Sequence, residues 1–181
     1  MRCVGSFVVI LLLFVFSCQS TKRIATPQQL LILDNLVSSQ AFVIESDWVF
    51  PQTTNSLIAI QNTGLLGPGN SASRISLIGN ANELRLNNGK VSSKLPYFGE
   101  MQSASSYNGT SNSIMLEGQP KDYKVTKNDN SSYTITFEAK SDSENFNVII
   151  HLYPSLKSEI IVNSAKRFSI RYSGVVRAIL E

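Results

Sequence analysis

The chain has 181 residues, with 16 Lys and Arg against 13 Asp and Glu and a formal net charge of +3. This length predicts one domain, large enough to fold without disulfide or metal staples. Nucleic-acid binding usually shows as a basic patch or stripe, so this weak charge excess excludes nucleic acid from the expected partners. Apolar and aromatic residues recur along the chain and exclude disorder for most of it.

Residues 1–17 are predicted to form a secretory signal peptide. Arg2 supplies the positive start, and a nearly continuous apolar run follows at residues 4–16. A transmembrane helix needs roughly 20 apolar residues, so this run is too short to span a bilayer comfortably. We therefore expect the chain to be exported.

The residues that follow the apolar run resemble a bacterial lipobox, and they read Val15-Phe16-Ser17-Cys18. The other cysteine, Cys3, lies in the leader, so the exported chain has neither a disulfide framework nor a Cys-cluster metal site. We predict that Cys18 is lipidated, with residues 18–25 as a tether and the membrane as a partner through the lipid anchor. An ordinary signal-peptidase site is the alternative. Because the tether lacks an acidic run, a periplasm-facing location is slightly preferred over the cell surface.

Residues 26–181 are predicted to form a single β-rich domain that begins with one amphipathic helix. Thr26 and Gln29 match a Thr-x-x-Gln capping box, and Pro27 suits the first helical position. Leu30, Leu33 and Val37 then recur at helical spacing. The helix is therefore expected over Pro27–Ser39.

The remainder is predicted to be mainly β, as an antiparallel meander of about 8–10 short strands that closes as a barrel or packs as a sandwich. Asn88-Gly89 is a strong hairpin signal, because a type I′ turn needs positive φ at both central residues. A Gly- and Ser-rich segment at about residues 52–73 is predicted to be a long loop. The clearest alternation of apolar and polar residues marks two strands, with Tyr133, Ile135, Phe137 and then Val148, Ile150, Leu152 on one face. The last strand is expected to carry Phe168, Ile170 and Tyr172 opposite Arg167, Ser169 and Arg171.

Several motifs resemble the uncharacterised DUF4251 family of exported Bacteroidetes proteins, over most of residues 36–173. The most specific are the pentapeptide Leu95-Pro96-Tyr97-Phe98-Gly99 and a C-terminal run from Val162-Asn163-Ser164 through Arg167, Ile170, Tyr172 and Gly174. Further matches are Phe42-Val43-Ile44, Leu84-Arg85-Leu86 and Asp122-Tyr123. The resemblance implies an exported, often lipid-anchored β-rich domain, and it implies no activity.

The sequence contains none of the usual catalytic or metal-binding motifs. The one histidine, His151, lies within a predicted strand and has no nucleophile elbow beside it. We therefore assign no catalytic residue, no metal site and no cofactor. Carboxylate chemistry would need two acids close together, and the sequence does not bring together any two of Glu45, Asp47, Glu117 and Glu138.

The candidate ligand site lies where Pro96 ends a strand and leaves Tyr97 and Phe98 beside a Gly- and Ser-rich loop that carries Tyr107. A structural plug of the sheet end is the alternative for these aromatics. Arg167 and Arg171, expected on one strand face, would hold an anionic ligand or else be solvated edge charges. The favoured function is a cell-envelope lipoprotein that binds an envelope protein, a glycan or a small molecule without catalysis. The alternative is an envelope hydrolase that uses carboxylate chemistry.

Overall fold

The computed structural model describes residues 25–102, 113–141 and 144–179. The predicted signal peptide, the lipidation site Cys18 and the candidate residue Tyr107 lie outside the described residues. Helix α1 (Pro27–Ser39) begins as predicted with a complete capping box. The Gln29 amide donates to Thr26 Oγ1 at 3.2 Å, and the Thr26 amide donates to Gln29 Oε1 at 2.9 Å. Within the described ranges, no helix is long and apolar enough to cross a membrane.

A second helix, α2 (Asn55–Asn62), occupies part of the segment that was predicted to be a long loop. Thr54 caps it by accepting a hydrogen bond from the Leu57 amide at 3.3 Å. Leu57 is its only buried residue, and at eight residues the helix is too short for its apolar pattern to be told from that of a loop or strand. The rest of the segment consists of turns, in which Gly64, Gly67 and Gly69 take positive φ angles.

Eleven strands in the described ranges form one antiparallel sheet, which confirms the mainly β prediction. They are β1 (Phe42–Pro51), β2 (Ile75–Ser76), β3 (Glu83–Asn87), β4 (Lys90–Pro96), β5 (Ser113–Ile114), β6 (Glu117–Gly118), β7 (Lys121–Lys127), β8 (Tyr133–Ser141), β9 (Glu144–Leu152), β10 (Lys157–Ser164) and β11 (Ile170–Ala178). The order is β5-β4-β3-β1-β11-β10-β9-β8-β7, with β2 beside β1 and β6 beside β4. The sheet is not closed, and its sandwich-like arrangement decides between the two architectures that the sequence left open.

The core lies between the inward faces of the strands and α1. Strands β8 and β9 alternate as predicted, and they bury Ile135, Phe137, Val148, Ile150 and Leu152 in one apolar cluster. From α1, the cluster receives Leu33, Leu36 and Val37. The helix thus covers one side of the sheet with its apolar face.

A β-bulge in β1 exchanges the two faces of that strand. The register to β11 shifts between Ser46 and Trp48, so Phe42 and Ile44 point into the core whereas Trp48 points outward. Asn82 satisfies the Ser46 backbone, because its side chain accepts from the Ser46 amide and donates to the Ser46 carbonyl, each at 2.9 Å. A Cβ on Gly174 would lie 1.9 Å from the Glu45 carbonyl oxygen, so only glycine fits opposite the bulge.

The start of the last strand differs from the prediction. Strand β11 begins at Ile170, and Arg167 instead forms an isolated bridge with Met101. Residues 168–169 are not in a strand, so the alternation of side chains between the two faces of a strand does not extend from Arg167 to Arg171. The expectation that the two arginines share one strand face is therefore wrong.

Candidate functional site

The predicted site residues Tyr97, Phe98 and Arg167 meet in a cavity of about 280 Å³, which we call the aromatic cleft. It lies between the chain that leaves β4, the chain that approaches β11, and α2. Its lining consists of residues 97–101 and Arg167, with Ser56, Leu57, Ile60 and Leu66 on the α2 side. The segment after residue 52 thus reaches the predicted site, as a helix instead of a loop.

Tyr97 is built into the protein interior, with only 8% of its surface exposed. Its hydroxyl donates to the Glu100 carbonyl at 2.9 Å and lies 3.2 Å from the Phe168 carbonyl. Burial raises the pKa of Tyr97, because the phenolate would lose its hydration. With its hydroxyl engaged by two backbone segments, Tyr97 fits the structural plug better than a ligand contact.

Arg167 is also occupied by the protein itself. Its Nε donates to Glu144 Oε2 at 3.0 Å, and both side chains are only 10% exposed. Its guanidinium lies 5.0 Å from the centroid of the Tyr97 ring. Glu144 additionally accepts a hydrogen bond from Ser164. Since a buried partner neutralises its charge, Arg167 is poorly placed to hold an anionic ligand.

Glu100 lines the aromatic cleft and connects two of its walls by hydrogen bonds. Hydrogen bonds from the Thr54 and Ser56 hydroxyls lower the pKa of the Glu100 carboxyl, because they stabilise the charged form. These contacts fasten the start of α2 to the chain after β4. Phe98 is partly buried against the core. The aromatic cleft is therefore a largely apolar pocket whose charges are already satisfied.

Arg171 belongs to a different and larger cavity of about 700 Å³ on the outward face of the sheet, which we call the arginine groove. Phe50 and Pro51 end β1 there, and Gln52 follows them. The opposite wall comes from Ser71, Ser73 and Arg74, and the remaining wall from Ser169 and Arg171. Its described lining contains two arginines and no carboxylate.

The strand order places one arginine on each side of β1. In this part of the sheet β1 lies between β2 and β11, with Trp48 paired to Ser76 and Phe50 paired to Arg171. The Arg171 guanidinium lies 4.3 Å from the centroid of the Phe50 ring. Arg74, directly before β2, lies 4.4 Å from the centroid of the Trp48 ring. Each guanidinium is thus stacked on an aromatic ring of the strand between them.

The loop that carries Arg74 is fixed by its own hydrogen bonds. The amides of Ser71 and Arg74 donate to each other's carbonyls, at 2.8 Å and 3.1 Å. Asn70 donates to the Leu66 carbonyl at 2.6 Å and accepts from the Ser76 amide at 2.8 Å. Gln61 of α2 accepts from the Ala72 amide at 2.6 Å. Arg74 is therefore held in place before any ligand arrives.

The two arginines of the groove differ in their charge partners. Arg171 donates to Glu159, which also accepts from the Tyr153 hydroxyl at 3.2 Å. No carboxylate of the described residues pairs with Arg74. Among the described residues, the positive charge of Arg74 in the arginine groove therefore has no counter-charge.

The acids named for hydrolysis do not form the buried pair that such chemistry requires. Glu117 and Glu138 line one cavity of about 340 Å³, but both are exposed and share it with Lys121 and Lys140. Glu45 pairs with Arg177 on the surface. Within the described part of the chain, no group of three His, Cys, Asp or Glu side chains is arranged to hold a metal ion.

Three residues of the arginine groove or its stacks were missed by reasoning from the sequence, namely Arg74, Trp48 and Phe50. Strict alternation from Phe42 and Ile44 would have placed both aromatics in the core, and only the bulge turns them outward. The available signal was a Trp-x-Phe pair near the end of a strand, with an arginine at the start of the next predicted strand. That signal is common and does not by itself indicate a site.

A family model described as a domain of unknown function, DUF4251, matches residues 26–176. The chain is also similar to a 1.95 Å crystal structure of a DUF4251 family protein from Bacteroides eggerthii, with a TM-score of 0.56 and 12% sequence identity. The similarity covers 83% of this chain and 88% of that chain, and at this identity it shows the fold alone. No curated protein matches the chain.

Proposed function

This chain belongs to the DUF4251 family, as its motifs predicted, and from that premise we propose that it is a lipid-anchored protein of the bacterial cell envelope that binds an anionic ligand without converting it. The family description assigns no activity, so the proposal depends on the geometry of this chain. We place the ligand in the arginine groove. Of the residues predicted from the sequence, Arg171 contributes to this site, and Tyr97, Phe98 and Arg167 support the neighbouring structure.

The observation that carries the proposal is the pair of stacked guanidiniums in a groove without a lining carboxylate. One N–H of Arg171 is already donated to Glu159. Arg74 stacks on Trp48 without a carboxylate partner among the described residues, so it can face a ligand with its N–H edge. Such an edge matches the two oxygens of a carboxylate, phosphate or sulfate. Because Arg74 has no counter-charge among the described residues, an anion would supply one.

Binding is favoured over conversion by the groups that surround the groove. Its described lining offers fixed donors from arginine, serine and glutamine side chains, but neither a histidine base nor a carboxylate pair. His151 lies elsewhere, on β9, where its Nδ1 is 3.2 Å from Thr134 Oγ1. General acid–base catalysis needs such a group within reach of the reacting atoms.

Export and anchoring rest on the leader and on Cys18. We expect the protein to face the periplasm, held by lipid on Cys18. Metabolic labelling with an alkyne fatty acid should mark the wild-type chain, and Cys18→Ala should lose the mark. Labelling that persists in the variant would contradict lipidation at Cys18.

The anion site is tested with inorganic sulfate, measured on the arginine Nε–Hε resonances of the full chain at constant ionic strength. We expect saturable shifts at Arg74 and Arg171, several-fold larger than at Arg85, an exposed arginine paired with Glu83. Arg74→Gln should abolish the response at Arg171, whereas the matched control Arg85→Gln should keep it. Equal shifts at every arginine would overturn the proposal.

A further inference from the structure

We infer that the ligand of the arginine groove is an acidic glycan, in which a carboxylate or sulfate group lies on Arg74 and neighbouring sugar hydroxyls contact the serines and Gln52. This inference rests on the proposed function, since it names the ligand class of the same site. It depends on the balance of charge, the neutral hydrogen-bonding groups and the stacking in the groove.

The charge balance favours a ligand with few negative charges. Arg171 is already paired with Glu159, and Arg74 is the cation without a carboxylate among the described residues. A densely charged polymer, such as a polyphosphate, would bring several anions to a groove that offers one uncompensated cation. One acidic group among neutral sugar groups matches that single charge.

The neutral groups of the groove suit a hydroxyl-rich ligand. Three lining serines, Ser71, Ser73 and Ser169, both donate and accept hydrogen bonds, and the Gln52 amide does the same. The hydroxyls of Ser71 and Ser73 lie 3.2 Å apart, as neighbours on one wall. An inorganic anion only accepts hydrogen bonds, so the acceptor oxygens of these side chains would find no donor on it.

The size and openness of the groove favour part of a longer molecule. Its volume of about 700 Å³ lies within the usual 300–1,000 Å³ range of small-molecule sites, far above the need of one inorganic ion. The groove lies on the outward face of the sheet, so a chain of sugars could enter and leave at its ends.

Two other classes of ligand fit less well. Single-stranded nucleic acid binds by stacking its bases on aromatic faces, but guanidiniums already cover a face of Trp48 and of Phe50. An extended peptide binds by adding a strand to a free sheet edge. Strand β1 is paired on both sides here, with β2 and with β11, and β2 is only two residues long, so neither offers a peptide a useful edge.

The inference is tested by calorimetric titration of the full chain with four matched probes. A galactose tetrasaccharide with one galacturonate unit and a galactose tetrasaccharide with one sulfate each carry a single acid among hydroxyls, and the two arms distinguish carboxylate from sulfate. The methyl ester of the galacturonate probe keeps the hydroxyls without the charge, and a capped tetrapeptide with one glutamate keeps a single charge without the sugar. We expect at least one acidic sugar to bind ten-fold or more tightly than both controls.

Variants separate this inference from the proposed function. Arg74→Gln should abolish binding of the acidic sugar and the sulfate shifts together. Ser71→Ala with Ser73→Ala should weaken sugar binding several-fold and leave the sulfate shifts unchanged, whereas the exposed control Ser92→Ala should change neither. A glutamate peptide that binds as tightly as both acidic sugars, or acidic sugars that fail to bind while sulfate shifts persist, would overturn the glycan alone. Loss of every response would overturn the anion site as well.

Discussion

The aromatic cleft and the arginine groove use the same pair of groups, an arginine stacked on an aromatic ring, for different purposes. In the cleft, Arg167 is 10% exposed and paired with Glu144, over the ring of Tyr97. In the groove, Arg74 lies on the exposed surface over Trp48, with no carboxylate partner among the described residues. Burial and a counter-charge, more than the stacking itself, therefore decide whether such an arginine stabilises the fold or remains available for a ligand.

The sharpest way to test this difference is to remove the ring of the cleft. Tyr97→Ala should lower the free energy of unfolding by about 3–5 kcal/mol, because a buried aromatic side chain and its hydrogen bond are lost together. Denaturant unfolding measures this change. Sulfate shifts at Arg74 should persist in the variant under native conditions. A small change in stability together with loss of ligand binding would show that Tyr97 is a ligand residue after all.

The next effect concerns the ion pair of the cleft. Arg167→Met should cost about 3 kcal/mol of unfolding free energy, because it leaves the Glu144 carboxylate buried without its partner. The double variant Arg167→Met with Glu144→Leu should recover much of this loss, since no buried charge then remains. A urea melt of the wild type, the two single variants and the double variant gives the coupling energy. Equal stability of wild type and single variant would mean that the pair is solvated and the cleft is open.

How much the sequence predicts depends on whether the deciding contacts are local. Helix α1 and strands β8 and β9 were predicted because a capping box and a period-two pattern act within a few residues. The bulge in β1 was not predicted, because it depends on Gly174 and Asn82, which lie far from β1 in the sequence. That bulge turns Trp48 outward and so creates the arginine groove.

The candidate site was also predicted only in part. Tyr97, Phe98 and Arg167 do meet, because the end of β4 and the approach to β11 lie side by side. The separation of Arg167 from Arg171 could not be predicted, since it depends on where the chain re-enters the strand at Ile170. Helix α2 was not predicted because eight residues are too few for an apolar pattern to identify a helix.

A smaller effect should appear at alkaline pH. Burial raises the pKa of Tyr97 above its usual value near 10, so the folded state keeps its proton at a pH where the unfolded state has lost it. The resulting stability is present below pH 10 and is lost as the pH rises towards the folded pKa. Each pH unit in that window should cost up to about 1.4 kcal/mol for this residue. Tyr97→Phe should therefore flatten the decline in unfolding free energy above pH 10, whereas Arg74→Gln should leave its slope unchanged.

The smallest effect on stability is expected in the groove, and it completes the comparison. Arg74→Gln removes an exposed cation–π contact and no ion pair of the described residues, so unfolding free energy should fall by only about 0.5–1 kcal/mol. The hydrogen bonds of the loop involve the Arg74 backbone and the side chains of Asn70 and Gln61, which the substitution leaves in place. A near-native melt combined with a lost sulfate response would separate binding from folding at one residue. A loss of several kcal/mol in unfolding free energy would instead show that Arg74, like Arg167, mainly stabilises the folded state.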